Sequence, residues 1–185
     1  MFLTLPVDFA VTDAPLKLKG YSDSNWADDR RTRLSTSCDV VEIENFCFEV
    51  NAYGQDILAD SSGIAELYAL NSTAKDALGV EVILTEMGFK IDVVLLTDSS
   101  AARAMCMRVG HSQRTKHVEV KHLFLQQLIA KKRVRIQKID GLKNKSDIGT
   151  KHFDEKRLTL LRKSVGRAKQ LSELFDEEGD SVLDM

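Results

Sequence analysis

A chain of 185 residues, 43% of them apolar, is long enough for one well-packed core and gives no reason to expect a second domain. No apolar run approaches the roughly 18 residues of a membrane-spanning helix, and the amino terminus has neither the basic start nor the apolar run of a signal peptide. Three cysteines, Cys38, Cys47 and Cys106, are odd in number and lack metal-like spacing; they fit reduced thiols in a soluble intracellular protein, cytoplasmic or nuclear, without disulfides.

The formal charge of −2 hides a segregation. Counting Lys and Arg against Asp and Glu, residues 1–102 carry 7 against 17, residues 103–151 carry 13 against 3, and residues 152–185 carry 6 against 8. A basic block this dense is a footprint for phosphate, and acids gathered elsewhere suit divalent metal. Two ordinarily solvated surfaces would give the same counts, so charge alone leaves both readings open.

Residues 1–15 contain Pro6 and Pro15, show no clear period, and read as a leader or linker. Leu16 to Lys19 alternate apolar and charged residues as a half-buried strand does, which places Asp23, in Gly20 to Trp26, near that strand's end. A polar loop from Ala27 to Ser37 leads into a second strand at Cys38 to Glu44. Phe46 to Val50 returns as a third, and connections this short make the first three strands antiparallel.

From Ser62 the period changes to about 3.6: Leu67, Leu70, Ala74, Ala77 and Leu78 share a face, and Gly88 stops the run, so a long helix is expected over 63–87. Ile91 to Leu96 is a continuous apolar run, as in a strand covered on both faces, and it ends at Asp98. Helices are predicted at 99–107 and 118–131, with a fifth strand at Val134 to Ile139. The order describes an α/β fold: a five-stranded mixed sheet with helices on both faces. A main domain at 16–153 is followed by an amphipathic helix at 154–175, carrying Leu158, Leu161, Val165, Ala168 and Phe175, and by an acidic tail at 176–185 expected to be disordered.

Four acids occupy places where sites form. Asp98 follows a buried central strand, Asp23 ends its predicted neighbour, Glu66 is expected in the first turn of the long helix, and Asp147 opens a short helix. Each has a plain alternative as an Asx turn, a helix cap or a dipole partner. If they converge, carboxylates so close repel strongly unless cations neutralise them, which implies metal. His117 and His122 flank Glu119 but lack a matching ligand pair, so zinc is not expected.

Six motifs, in this order, resemble the ribonuclease H domain of copia-type retrotransposon Pol polyproteins. They are Tyr21 to Ala27, Arg33 to Ser37, Ser61 to Leu70, Thr97 to Ala102, Arg114 to Val120 and Asn144 to Lys151. The chain departs from that pattern at Cys38, Ile64 and Ser146, where the family usually has Gly, Glu and Ala, and it lacks the usual Trp-Ser and Gln-rich segment between Asn51 and Asp60.

The resemblance implies a ribonuclease H-like fold with a C-terminal helix, and endonucleolytic cleavage of the RNA strand of an RNA–DNA hybrid by two Mg²⁺ ions, which Mn²⁺ replaces. Asp23, Glu66, Asp98 and Asp147 would be both catalytic residues and metal ligands. Asp23 would bridge the ions, Asp147 would complete the ion site at the attacking water, and Glu66 with Asp98 would hold the ion at the leaving 3′ oxygen. Ser24, Asn25, Ser99, Ser100, Arg103, Arg114, Lys116, Lys131 and Arg133 would contact nucleic acid, and the chain would be a detached polyprotein end whose partner is a reverse transcriptase domain. No histidine between Lys138 and Ser146 offers the mobile imidazole many such enzymes use, and His152 lies past Asp147. The rival readings are an integrase-like polynucleotidyl transferase, whose last acid is typically a Glu on a late helix, and a nucleic-acid-binding remnant without turnover.

Overall fold

The sheet is organised around two parallel neighbours. In the computed structural model, which describes residues 14–44, 46–108 and 119–166, β1 (Leu16–Asn25) pairs in parallel with β4 (Ile91–Thr97) and antiparallel with β2 (Thr36–Ile43). On the outer side of β2 lies β3 (Phe46–Gly54), antiparallel, and β5 (Val134–Lys138) runs parallel to β4. The order across the sheet is β3-β2-β1-β4-β5. This is the mixed five-stranded sheet expected, with longer first and third strands: β1 runs to Asn25 and β3 to Gly54. Pairing carries both past the residues where their own apolar alternation ends, with Asn25 opposite Thr36 and Thr36 opposite Gly54.

The first helix, α1 (Ser62–Glu86), begins where Ser61 accepts a hydrogen bond from the Ile64 amide at 3.4 Å. It ends at Gly88, whose φ is 93°. Its stripe of Ile64, Leu67, Leu70, Ala74, Ala77 and Leu84 packs on Leu18 of β1, Val41 and Ile43 of β2, and Val93 and Leu95 of β4. Ala102 and Cys106 of α2 (Ser100–Met107) and Leu125 and Leu128 of α3 (Glu119–Ala130) complete this core. The opposite residues of the same strands, Tyr21, Val40, Val94 and Leu96, form a smaller cluster closed by Val165. Val93 to Leu96 therefore alternate between two cores, which is why β4 reads as an unbroken apolar run.

Val165 caps α4 (Glu155–Ser164), whose Leu161 is also buried, so this helix packs on the sheet through its carboxyl end. Ala168, Phe175 and the tail at 176–185 lie outside the described residues, as do Arg114, Lys116, His117 and nearly all of the expected leader. Among the described residues no helix is long and apolar enough to cross a membrane, and Cys38, Cys47 and Cys106 are free thiols.

One buried acid on the α1 side is at odds with its surroundings. Asp39 of β2 is fully buried; Asn51 reaches one of its oxygens at 3.4 Å, and no cation pairs with it among the described residues. Burial, the charges of Asp76 and Glu49, and a hydrogen bond with Asp76 push its carboxyl up to about 7. Lys75 counters only the Asp76 charge, and the neighbouring Tyr53 phenol is itself pushed up to about 12, chiefly by burial.

The native chain thus holds a proton on Asp39 at pH values where the unfolded chain releases it, so stability contributed at low pH is lost as pH rises from about 4 to about 7. Asp39→Asn should flatten this slope and raise the melting temperature at pH 8 relative to wild type. Thermal melts across that range measure it, and an equal slope in both proteins would count against the assignment.

Candidate active site

The register of β1 and β4 sets the site. Ser22 lies opposite Thr97, so the next residue of each strand, Asp23 and Asp98, emerges side by side at the carboxyl ends of neighbouring parallel strands. Asp147 arrives from the far end of the chain, in a 3₁₀ helix, Lys145–Gly149, whose Asn144 cap is fully buried. The Asn144 amide donates to the Ser22 carbonyl at 3.0 Å, and its oxygen accepts from the Ser146 hydroxyl at 2.7 Å. That bond pins the last acidic segment to the strand carrying the first.

One carboxylate oxygen from each of Asp23, Asp98 and Asp147 lies within 4.8 Å of the other two. Asp23 and Asp147 are buried and Asp98 is half-buried. Glu66 stands beside this trio: one oxygen accepts the Ser24 amide at 3.3 Å and the other is buried without a partner. It is the fifth residue of α1, past the first turn in which the sequence suggested it, because the helix begins at Ser62. Its place is therefore not explained by an attraction to the helix amino terminus. Burial, with the charges of Asp23 and Asp98, pushes its carboxyl up to about 8. Burial also raises the Asp23 carboxyl, helped by the charges of Asp147 and Asp98 and opposed by the Thr150 hydroxyl and the Lys151 ammonium.

Two polar neighbours were not singled out by sequence reasoning. Thr150 donates its hydroxyl to Asp23. Lys151 places its ammonium 2.5 Å from Asp147 and 3.5 Å from the Asp23 oxygen that Thr150 leaves open. The available signal was the spacing of four between Asp147 and Lys151, which sets side chains together on a helical turn. Burial works against the Lys151 charge, but the bond to Asp147 and the nearby carboxylates hold it above its usual range. A second buried acid, Glu42, ties this region down: Lys145, the Tyr21 hydroxyl at 2.9 Å and Lys19 at 3.4 Å all reach it.

Residues expected to contact nucleic acid fall in two places. At the site end, Ser24 and Asn25 finish β1, with the Ser24 side chain turned to Glu66. Ser99 caps α2 through the Ala102 amide at 3.1 Å, Ser100 accepts from Lys138 at 2.5 Å, and Arg103 is exposed one turn further on. Lys131 and Arg133 precede β5, at the opposite end of the sheet, where Arg133 pairs with Glu81 at 2.5 Å.

All-oxygen carboxylate donors in a closed group suit hard divalent cations such as Mg²⁺, and the orphaned Glu66 oxygen adds a further donor beside them. No protein-family model matches this sequence. The chain is 25% identical over 150 residues, 80% of its length, to the retrovirus-related Pol polyprotein of transposon TNT 1-94 from Nicotiana tabacum. It is 24% identical over 138 residues, 74% of its length, to that of transposon RE1 from Arabidopsis thaliana. It spans about a tenth of the length of each, 11% and 9%.

Among solved structures, it resembles LC11-RNase H1 isolated from compost, with a TM-score of 0.54 at 15% identity, covering 83% of this chain and 98% of the other. The N-terminal RNase H domain of a Mycobacterium tuberculosis protein gives a TM-score of 0.52 at 14% identity, covering 80% and 98%. The homologues of this chain are thus Pol polyproteins of plant transposons, the copia-type group its motifs resemble, and its fold is that of ribonuclease H.

The close approach of the Asp147 segment to the sheet can be tested at Gly149. A Cβ there would lie 2.6 Å from Cys38 Sγ, 2.8 Å from Cys38 Cβ and 2.9 Å from Ala52 Cβ, so backbone must move. Gly149→Ala should cost about 1–3 kcal/mol in denaturant unfolding and should weaken Mn²⁺ binding as Asp147 is displaced. Unchanged stability would show that the segment is not seated as described.

Proposed function

We propose that this chain, a homologue of a segment of plant-transposon Pol polyproteins with a ribonuclease H fold, is a nuclease that cleaves the RNA strand of RNA–DNA hybrids with two Mg²⁺ ions. The observation that carries this reading is the closed group of Asp23, Asp98 and Asp147 oxygens at the carboxyl ends of two parallel strands. The ribonuclease H identity of the fold neighbours supports it.

Asp23, Asp98 and Asp147 would hold the metal, with Glu66 beside them as the fourth carboxylate. Divalent metal, when bound, supplies a water of lowered pKa and charge stabilisation at the leaving oxygen. Hydrolysis of this kind would join a water oxygen to phosphorus as the bond to the 3′ oxygen breaks, with a proton lost from the water and one gained by the 3′ oxygen, leaving 5′-phosphate and 3′-hydroxyl ends without a covalent enzyme intermediate.

The chain's own residues supply the rest. Thr150 orients Asp23, Asn144 holds the Asp147 segment against β1, and Ser100, Arg103 and Lys138 form a polar and basic border beside Asp98, suited to a phosphate backbone. RNA would be recognised by hybrid shape and 2′-hydroxyl contacts, giving little sequence preference. A reverse transcriptase segment is the natural partner to present the hybrid.

In an end-labelled hybrid assay with Mg²⁺ or Mn²⁺, the chain should cut the RNA strand and Asp98→Asn should abolish cutting. Equal cleavage by both proteins would refute the site, and hybrid binding by a wild type that never cuts would favour a remnant without turnover. Binding measured at several salt concentrations should fall more with Arg103→Ala, at the site end, than with Arg133→Ala, already paired with Glu81 at the far end.

A further inference from the structure

The two sides of the carboxylate group are unequally neutralised. Among the described residues no cation comes within ion-pair distance of Asp98 or Glu66, whereas Lys151 sits directly on Asp23 and Asp147. The anionic partners are fixed: their side chains are 3% and 7% exposed, Asp23 is held on its other oxygen by Thr150, and Asp147 is seated in the capped 3₁₀ helix. The Lys151 side chain is 42% exposed, on a flexible four-carbon stem, and can turn into water.

We infer that Lys151 is a tethered counter-ion that competes with divalent metal for the Asp23–Asp147 side of the site. It holds these two acids together while the protein is metal-free, and it must swing out to admit an ion between them. An ion at Asp98 and Glu66 feels the Lys151 charge from further off, with no ammonium in contact with those two carboxylates, so the two ions bind with different affinities. The inference rests on the metal-binding half of the proposed function and needs no nucleic acid to test.

The experiment is a Mn²⁺ titration of the full chain, followed by calorimetry and by electron paramagnetic resonance of free Mn²⁺, for wild type, Lys151→Met and Lys151→Arg. Wild type should show a tight and a weak class. Lys151→Met should tighten the weak class on the order of tenfold by removing a like charge at contact distance, and leave the tight class in place. Lys151→Arg, which keeps the charge, should leave the weak class weak. In EDTA, Lys151→Met should melt below wild type, with the gap closing at saturating Mn²⁺. Unchanged or weakened binding in Lys151→Met would overturn the inference while leaving the metal site standing; no binding by wild type would overturn both.

Discussion

Carboxylates forced into a shared, poorly hydrated volume are the constraint on which the rest of this structure depends. Asp23, Asp98 and Asp147 bring oxygens within 4.8 Å of one another, with Glu66 alongside. At such distances like charges cost far more in a protein interior than in water. The fold answers locally: an ammonium from Lys151, a hydroxyl from Thr150 and an amide from Ser24 each take one oxygen of the group. The answer is incomplete, because one Glu66 oxygen remains buried and unpaired. Unrelieved cost of this kind is characteristic of places kept for binding and chemistry rather than for stability.

The scaffold around this cluster does the opposite, spending polar groups on rigidity. Glu42 is almost fully buried, yet two lysines and a tyrosine surround it, Lys19 and Tyr21 from β1 and Lys145 from the segment that carries Asp147. Asn144 performs the same task with neutral groups, bonding across more than a hundred residues of sequence to the Ser22 carbonyl. A buried charge that is fully partnered specifies one arrangement of its neighbours, and here those neighbours are the elements that bear Asp23 and Asp147. The positions of Asp23 and Asp147 are thus fixed by a network outside the carboxylate group itself.

Charge elsewhere is distributed by topology rather than by sequence block. The basic run at residues 131–135 looks continuous in the chain, but β5 begins at Val134 and its parallel partner β4 delivers Asp98 at the other end. Arg133 and Arg135 instead pair with Glu81 and Asp92. Lys138, three residues past Arg135, reaches Ser100 beside Asp98. A run of like charge therefore separates into one part that pairs at the far end of the sheet and another that reaches the end where Asp98 lies.

Periodicity alone determined much of this protein. Alternation and apolar runs gave all five strands, the change to a 3.6 period gave α1 with its face, and the uninterrupted Ile91 to Leu96 run announced a strand sandwiched between two cores. The motifs marked the four acids, and hence the chemistry to look for. What sequence could not decide were distances set by strand register and by long-range packing: that Ser22 faces Thr97, so that three acids meet and Glu66 flanks them; that Lys151 rather than a solvated surface supplies the counter-charge; that Arg133 is turned away. Local propensity acts over a few residues, whereas each of these facts depends on segments dozens to more than a hundred residues apart, which only the packed tertiary structure brings into contact.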